Sequence, residues 1–226
     1  MKAIGHIYTD LPEKFGVPRQ SGLAPSLFGK IVFEPEYRVK DAVRGLEGFS
    51  HIWLLWEFSE AKEVKGDKWQ PTVRPPRLGG NKRMGVFATR SPFRPNNIGL
   101  SAVKIEKIDT ECENAPVIFV SGVDMMNGTP LFDIKPYLPA ADCIPEASGG
   151  FTEVNEFHVL AVSFPENLLK KLPEKKRAGA IELLSLDPRP AYIKDTERIF
   201  GIAYADCNIK FTVEGDALIV TEVEQT

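Results

Sequence analysis

The apolar residues of this chain come in short blocks, and the longest unbroken one is IWLLW at Ile52–Trp56. Blocks that short, fenced by Gly, Pro and Asn, fill strands rather than long helices. Ile52–Phe58 is nearly continuous in bulky side chains, Met84–Thr89 is brief, and Gly99–Ile108 alternates through Val103, Ile105 and Ile108. Val117–Val123 is a further strand, followed by Asn127-Gly128, a pair suited to positive φ in a tight turn. Glu156–Phe164 predicts another, and Asn208–Thr221 predicts a hairpin turning at Glu214-Gly215-Asp216. Helical patterning is confined to one turn at Asp41–Leu46 and to Glu166–Leu186, broken at Pro173. Strands first and helix plus hairpin afterwards predict a mainly β chain: a barrel or sandwich over residues 1–165, then a small α+β appendage over 166–226.

The hydrophobic content of 43% is enough to fill a real core. Cys112, Cys143 and Cys207 are odd in number and far apart, which argues against a disulfide framework and gives no zinc spacing with the three histidines. The expectation is a reducing, cytoplasmic location, with no metal and no membrane association, since IWLLW is too short to cross a bilayer. No strand runs into GxGxxG and a helix, and GxxxxGK[ST] is absent. Any nucleotide-like cofactor must therefore be held by another architecture.

Charge is unevenly spread. Lys68, Arg74, Arg77, Lys82, Arg83, Arg90, Arg94 and Lys104 fall in one stretch without Asp or Glu, so subtracting these eight from the net charge of −3 leaves −11 elsewhere. Such a patch attracts phosphate or carboxylate. In RSPFRPNNIG, Pro92 and Pro95 fix φ and present Arg90 and Arg94 from a stiff loop suited to bidentate anion capture. Arginines that merely satisfy loop carbonyls would look the same in sequence. PTVRPPRLGGNKR, Pro71–Arg83, rejects helix and strand alike, and its Arg74, Arg77, Lys82 and Arg83 suit a nucleic-acid backbone or, equally, a solvated loop. Asp133 and Lys135 are two apart, so on an extended chain they point the same way, with Tyr137 next in line. An edge-strand ion pair with a packing tyrosine explains that spacing as well as a cleft does. Val17–Gln20 holds a further cation, Arg19, beside Pro18.

DAVRGLEGFSHIWLLW, TVRPPRLGGNKRMGVFATRSPFRPNNIGLSAV, VDMMNGTPLFDIKPYLP and LDPRPAY, in that order, resemble the TrmO (TsaA-like) family of bacterial tRNA methyltransferases across nearly the whole chain. The resemblance implies a single-sheet β-barrel catalytic domain, a homodimer, and S-adenosylmethionine-dependent methylation of N6 of threonylcarbamoyladenosine beside the tRNA anticodon. It implies a cofactor site made of Pro18, Arg19, Gln20, Ser59, Glu60, Arg90, Leu100, Ser121, Gly122, Val123 and Asp124. The chain departs from the family at Ser59-Glu60, where a His-Gln pair is usual, and at Asn97, where a second proline is usual.

The attacking N6 is conjugated and must lose a proton, so a base or an anion-stabilising donor is needed, and Asp133, Lys135 and Tyr137 are the candidates. Arg74, Arg77, Lys82, Arg83, Arg94 and Arg189 are the candidate tRNA-binding residues, with Tyr192 and the lysines around Lys170–Lys176 in support. Dimer contacts are expected at Tyr137–Pro145. A non-catalytic RNA-binding module and an enzyme acting on a small anionic metabolite remain alternatives.

Overall fold

The computed structural model describes residues 1–59, 69–75, 82–154, 159–189 and 198–226. Six antiparallel strands close into a barrel: β1 (Gly5–Thr9), β2 (Phe28–Phe33), β3 (His51–Glu57), β6 (Ile98–Asp109), β7 (Val117–Ser121) and β8 (Thr129–Pro136), in the order β1-β2-β7-β6-β3-β8. Closure is made by β1 and β8 through Gly5↔Leu131 and Ile7↔Thr129. Alternation in β3 sends Ile52, Leu54 and Trp56 inward, where they meet Ile7, Ile31, Ile118 and Leu131, all nearly inaccessible to solvent. A two-stranded ribbon, β4 (Thr72–Val73) and β5 (Met84–Gly85), stands apart from the barrel sheet.

The C-terminal part is a second, smaller sheet of order β10-β11-β12-β9, built from β10 (Phe200–Tyr204), β11 (Cys207–Glu214), β12 (Ala217–Gln225) and β9 (Ala161–Ser163). Strand β9 lies upstream of the division expected at 165/166 yet pairs parallel with β12, because the chain enters this sheet before its helices rather than after them. Of the α-helices among the described residues, α1 (Pro139–Asp142) and α2 (Phe151–Val154) follow the barrel, and α3 (Glu166–Leu169) and α4 (Glu174–Ser185) follow β9. Helix α4 buries Ala180, Leu183 and Leu184 in a core shared with Ile202, Phe211 and Val220. The two units are clamped by polar contacts: Glu182 accepts from both the amide and the hydroxyl of Ser26 at 2.7 Å, and Lys176 pairs with Asp10. Among the described residues no helix is long and apolar enough to cross a membrane.

Several elements differ from the sequence expectation for local reasons. The strand expected at 84–89 pairs only over Met84–Gly85, because the chain then curls into a 3-10 turn, Val86–Ala88, whose Val86 carbonyl takes hydrogen bonds from the Thr89 hydroxyl (2.9 Å) and from Arg94 (3.3 Å). The strand expected at 156–164 is the short β9, and residues 155–158 lie outside the described set. The turn expected at 41–46 is two 3-10 segments separated by Gly45 at φ 85°.

Candidate functional site

Strand β6 pairs with β3 over Ile98–Lys104 but with β7 only from Lys104 onward. Beyond Ser121 the chain leaves β7, turns at Gly122 (φ 74°, a conformation that favours glycine), and passes the first half of β6. The turn is fixed by its own backbone: the Gly122 amide donates to Leu27 at 2.9 Å, and its carbonyl accepts from the Gly22 amide at 2.9 Å. The loop Pro18–Gly22, the turn Ser121–Asp124 and the uncovered half of β6 thereby meet at the barrel mouth.

Asp124 is the centre of that meeting. Its carboxyl receives the Ser101 hydroxyl and the Ser21 amide and feels the charge of Arg90, yet Oδ1 is buried with no hydrogen-bond partner. Burial pushes it up to about 6, against the lowering pull of Ser101, the Asp124 and Ser21 amides and Arg90. Arg90 donates to the Gln20 side chain, which joins the arginine loop to the Pro18–Gly22 loop. Ser101 in turn accepts from Trp56 Nε1 at 3.0 Å. The Trp56 ring lies over Gly99, where an added Cβ would meet it at 2.2 Å, so only glycine lets this indole reach Ser101. An orphaned acidic oxygen with a guanidinium nearby fits an amphoteric ligand carrying both a carboxylate and a positive charge. S-adenosylmethionine is such a molecule.

Of the expected cofactor residues, Gln20, Arg90, Gly122 and Asp124 come together here. Leu100 lies on the outer side of β6, half exposed, next to Ser101. Pro18 is buried and Arg19 exposed on the neighbouring loop, and Ser59 is exposed just past β3. Val123 is sealed in the core and can offer only its backbone, while the Ser121 hydroxyl turns away to Glu106 at 2.6 Å. Glu60 lies outside the described residues.

Asp133 and Lys135 come together on the outer side of β8, as their spacing predicts, whereas Tyr137, just past the strand, packs elsewhere. Asp133 stands in the cross-strand row Leu100↔Leu55↔Asp133 and pairs with Lys135 at 3.1 Å. Its Oδ1 also accepts the Ile134 amide at 2.9 Å. Tyr137 sits at the far end, with its ring 5.5 Å from Trp53 and 6.3 Å from His51.

The basic loops split in the same way. Arg94 is a brace, donating to the Thr89 carbonyl at 2.6 Å and to Val86, whereas Arg74 and Lys82 are exposed and Arg83, also exposed, donates to the Thr72 hydroxyl at 3.0 Å. Arg189 is held bidentately by Asp187 at 2.8 and 2.9 Å. Lys170 pairs with Glu166 and Lys171 donates to the Val223 carbonyl, so these lysines serve helix packing. Arg77 and Tyr192 lie outside the described residues. Sequence reasoning overlooked Ser101, Ser21 and Trp56; the available signal was a lone serine among the apolar inward positions in the first half of β6.

The tRNA-methyltransferase O N-terminal domain family matches residues 6–143, and the TrmO C-terminal domain family matches residues 158–226. A tRNA (adenine(37)-N6)-methyltransferase of Escherichia coli K12 is 45% identical over 219 residues, spanning 93% of this chain and 91% of that protein. A putative S-adenosylmethionine-dependent methyltransferase, RcsF, of Pseudomonas aeruginosa is 40% identical over 214 residues, spanning 91% of this chain and 89% of its own. The crystal structure of TrmO from Pseudomonas aeruginosa superposes with a TM-score of 0.78 at 30% identity, covering 98% of this chain and 97% of that one.

Proposed function

The chain belongs to the tRNA-methyltransferase O family, and from that membership we propose that it methylates N6 of adenine 37 of tRNA, using S-adenosylmethionine. The observation that carries the reading to these residues is the buried, partnerless Asp124 oxygen beside Arg90 and Ser101 at the barrel mouth. Adenosylmethionine supplies, when bound, an electrophilic methyl that N6 takes by in-line displacement while giving up its own proton. Arg90 holds a carboxylate, Asp124 stands against positive charge, and Leu100 offers apolar surface. Asp133 accepts the proton from N6. Most of the remaining acceleration comes from alignment in a water-poor site.

The finer substrate is the threonylcarbamoyl form of that adenine, whose carboxylate suits a cation of the Arg74–Arg83 loops. The test is methyl transfer by the purified chain to tRNA with and without that modification, together with mass spectrometry of tRNA nucleosides from cells lacking the protein. Transfer to a small anionic metabolite without tRNA, or tRNA binding without transfer, would return the reading to its alternatives. The cytoplasm, where tRNA is matured, is the location that follows from this activity.

Charge removal at Arg74, Lys82 and Arg83 is expected to weaken tRNA binding uniformly and to flatten its salt dependence, by roughly 0.7–0.9 in log–log slope for each phosphate that is no longer neutralised. Cofactor affinity should stay the same. Binding isotherms at several salt concentrations check this; an unchanged slope would mean solvated loops.

Every residue from Leu138 to Gly150 is exposed, including Leu138 and Ile144 at 45% and 60%. The root of this arm is fixed by Asp142, which accepts from Trp53 Nε1 at 2.9 Å and from the Leu138 amide at 2.8 Å. A fixed apolar projection calls for a cover, and a second copy of the chain in a homodimer is the cover we assign. Light scattering at micromolar concentration should give twice 25.1 kDa, falling to the monomer mass in Ile144→Asp.

A further inference from the structure

Trp69 and Phe87 have no role in the site described above, and both are large apolar side chains left in water. Their rings stack with centroids 6.1 Å apart and planes 21° apart, and they are 46% and 69% exposed. They meet because the ribbon β4–β5 pairs Thr72 with Gly85 and Val73 with Met84, and because the Val86 amide donates to the Pro71 carbonyl at 3.0 Å. The Gln70 amide ties the same corner to Phe93 at 3.2 Å. Arg94 completes the group, with its guanidinium carbon 5.7 Å from the Phe87 centroid and its Nη1 held by the Thr89 carbonyl. The pair is thus fixed by backbone pairing and by a braced cation.

What surrounds the pair selects what would cover it. Arg74, Lys82 and Arg83 are exposed in the adjoining loops, and the sequence from Lys68 to Lys104 contains no acid. Flat apolar faces set among cations suit an anionic polymer with flat aromatic units, which is single-stranded nucleic acid. A second protein copy would have to bring its own acids to the same place. We propose that Trp69 and Phe87 form a stacking platform for an unpaired base of the RNA loop, one that flanks the methylated adenine. The proposal rests on the tRNA reading above. The base is a flanking one because the platform is open to solvent, whereas the reacting base must sit where water is excluded. Stacking tolerates any base, so the platform holds the loop open without reading its sequence.

The experiment uses the full-length protein and an anticodon stem-loop RNA carrying 2-aminopurine beside the target adenine. Wild-type protein should quench the probe on binding. Phe87→Ala and Trp69→Ala should abolish the quenching and weaken binding by roughly fivefold to a hundredfold, whereas Phe87→Tyr and Trp69→Phe should retain most of both. Because no charge is removed, the salt slope should stay at its wild-type value, and calorimetry with adenosylmethionine should be unchanged. Alanine variants that bind RNA as tightly as wild type, with quenching intact, would overturn the proposal. Alanine variants that lose dimer mass in light scattering while keeping RNA affinity would overturn it too, in favour of a protein contact. If the wild-type chain neither binds nor methylates RNA, the tRNA reading falls and this one with it; wild-type methylation with fully active alanine variants removes the platform alone.

Discussion

Asp133→Asn should slow single-turnover methyl transfer by about a hundredfold or more, within the range of lost general-base catalysis, while leaving the affinities for cofactor and tRNA near their wild-type values. N6 of the modified adenine is not basic, so a methyl placed in line with it reacts slowly until its proton has somewhere to go. Asp133 shares a cross-strand row with Leu100, and neighbouring strands of a sheet are about 5 Å apart, so the carboxylate stands roughly 10 Å across the barrel surface from Leu100. A purine fits that span. The Lys135 ammonium at 3.1 Å and the Ile134 amide at 2.9 Å hold the carboxylate in a fixed position on that face. Tyr137 lies four residues farther along the strand, about 13 Å away, packed on Trp53. Tyr137→Phe is therefore expected to leave the chemical step nearly intact. A wild-type single-turnover rate in folded Asp133→Asn would place the base elsewhere.

How much of the molecule is legible in its sequence depends on how far each feature reaches along the chain. Strand β3 announces itself as an unbroken run of bulky side chains, and β6 and the β11–β12 hairpin do so because their inward and outward residues alternate within one segment. Strand β1 hides because GHIYT gives only Ile7 as a strong inward residue, with Gly5 making the other inward position. Strand β8 hides because Pro130 and Pro136 interrupt it, and a proline in a run argues against a strand until its partners are known. The site divides similarly. Arg90 can be suspected from a stiff basic loop without acids, but Arg94, with the same neighbours and the same chemistry, is a brace. The difference lies in which carbonyls the 3-10 turn Val86–Ala88 presents, and no local pattern encodes that. The Trp56–Ser101–Asp124 chain is invisible for a topological reason: it exists only once β3 has paired with β6 and the chain leaving β7 has passed alongside.

That chain gives the last prediction its sign. The Asp124 carboxyl titrates at about 6 in the fold against 3.8 in an unperturbed chain. Between those values the folded protein keeps a proton that the unfolded chain has released, so stability is full below the lower value and falls as pH rises through the upper one. Ionised Asp124 costs the empty protein roughly 3 kcal/mol by that displacement. A ligand bearing fixed positive charge reverses the preference, because it binds the ionised form. Adenosylmethionine affinity, measured by calorimetry, should therefore rise about tenfold between pH 5 and pH 7.5 as the carboxylate forms. Asp124→Asn keeps the shape and the Ser101 contact but cannot ionise. It should bind at pH 7.5 no better than the wild type does at pH 5, show no slope across this window, and escape the loss of thermal stability above pH 4. Arg90→Ala removes a charge that holds the carboxyl down, so it should move the midpoint of the affinity curve to higher pH while also removing the partner of the ligand carboxylate. A flat wild-type curve, or an asparagine variant that binds as tightly as wild type at pH 7.5, would separate Asp124 from the positive end of the cofactor and leave its buried oxygen to a water-mediated structural role.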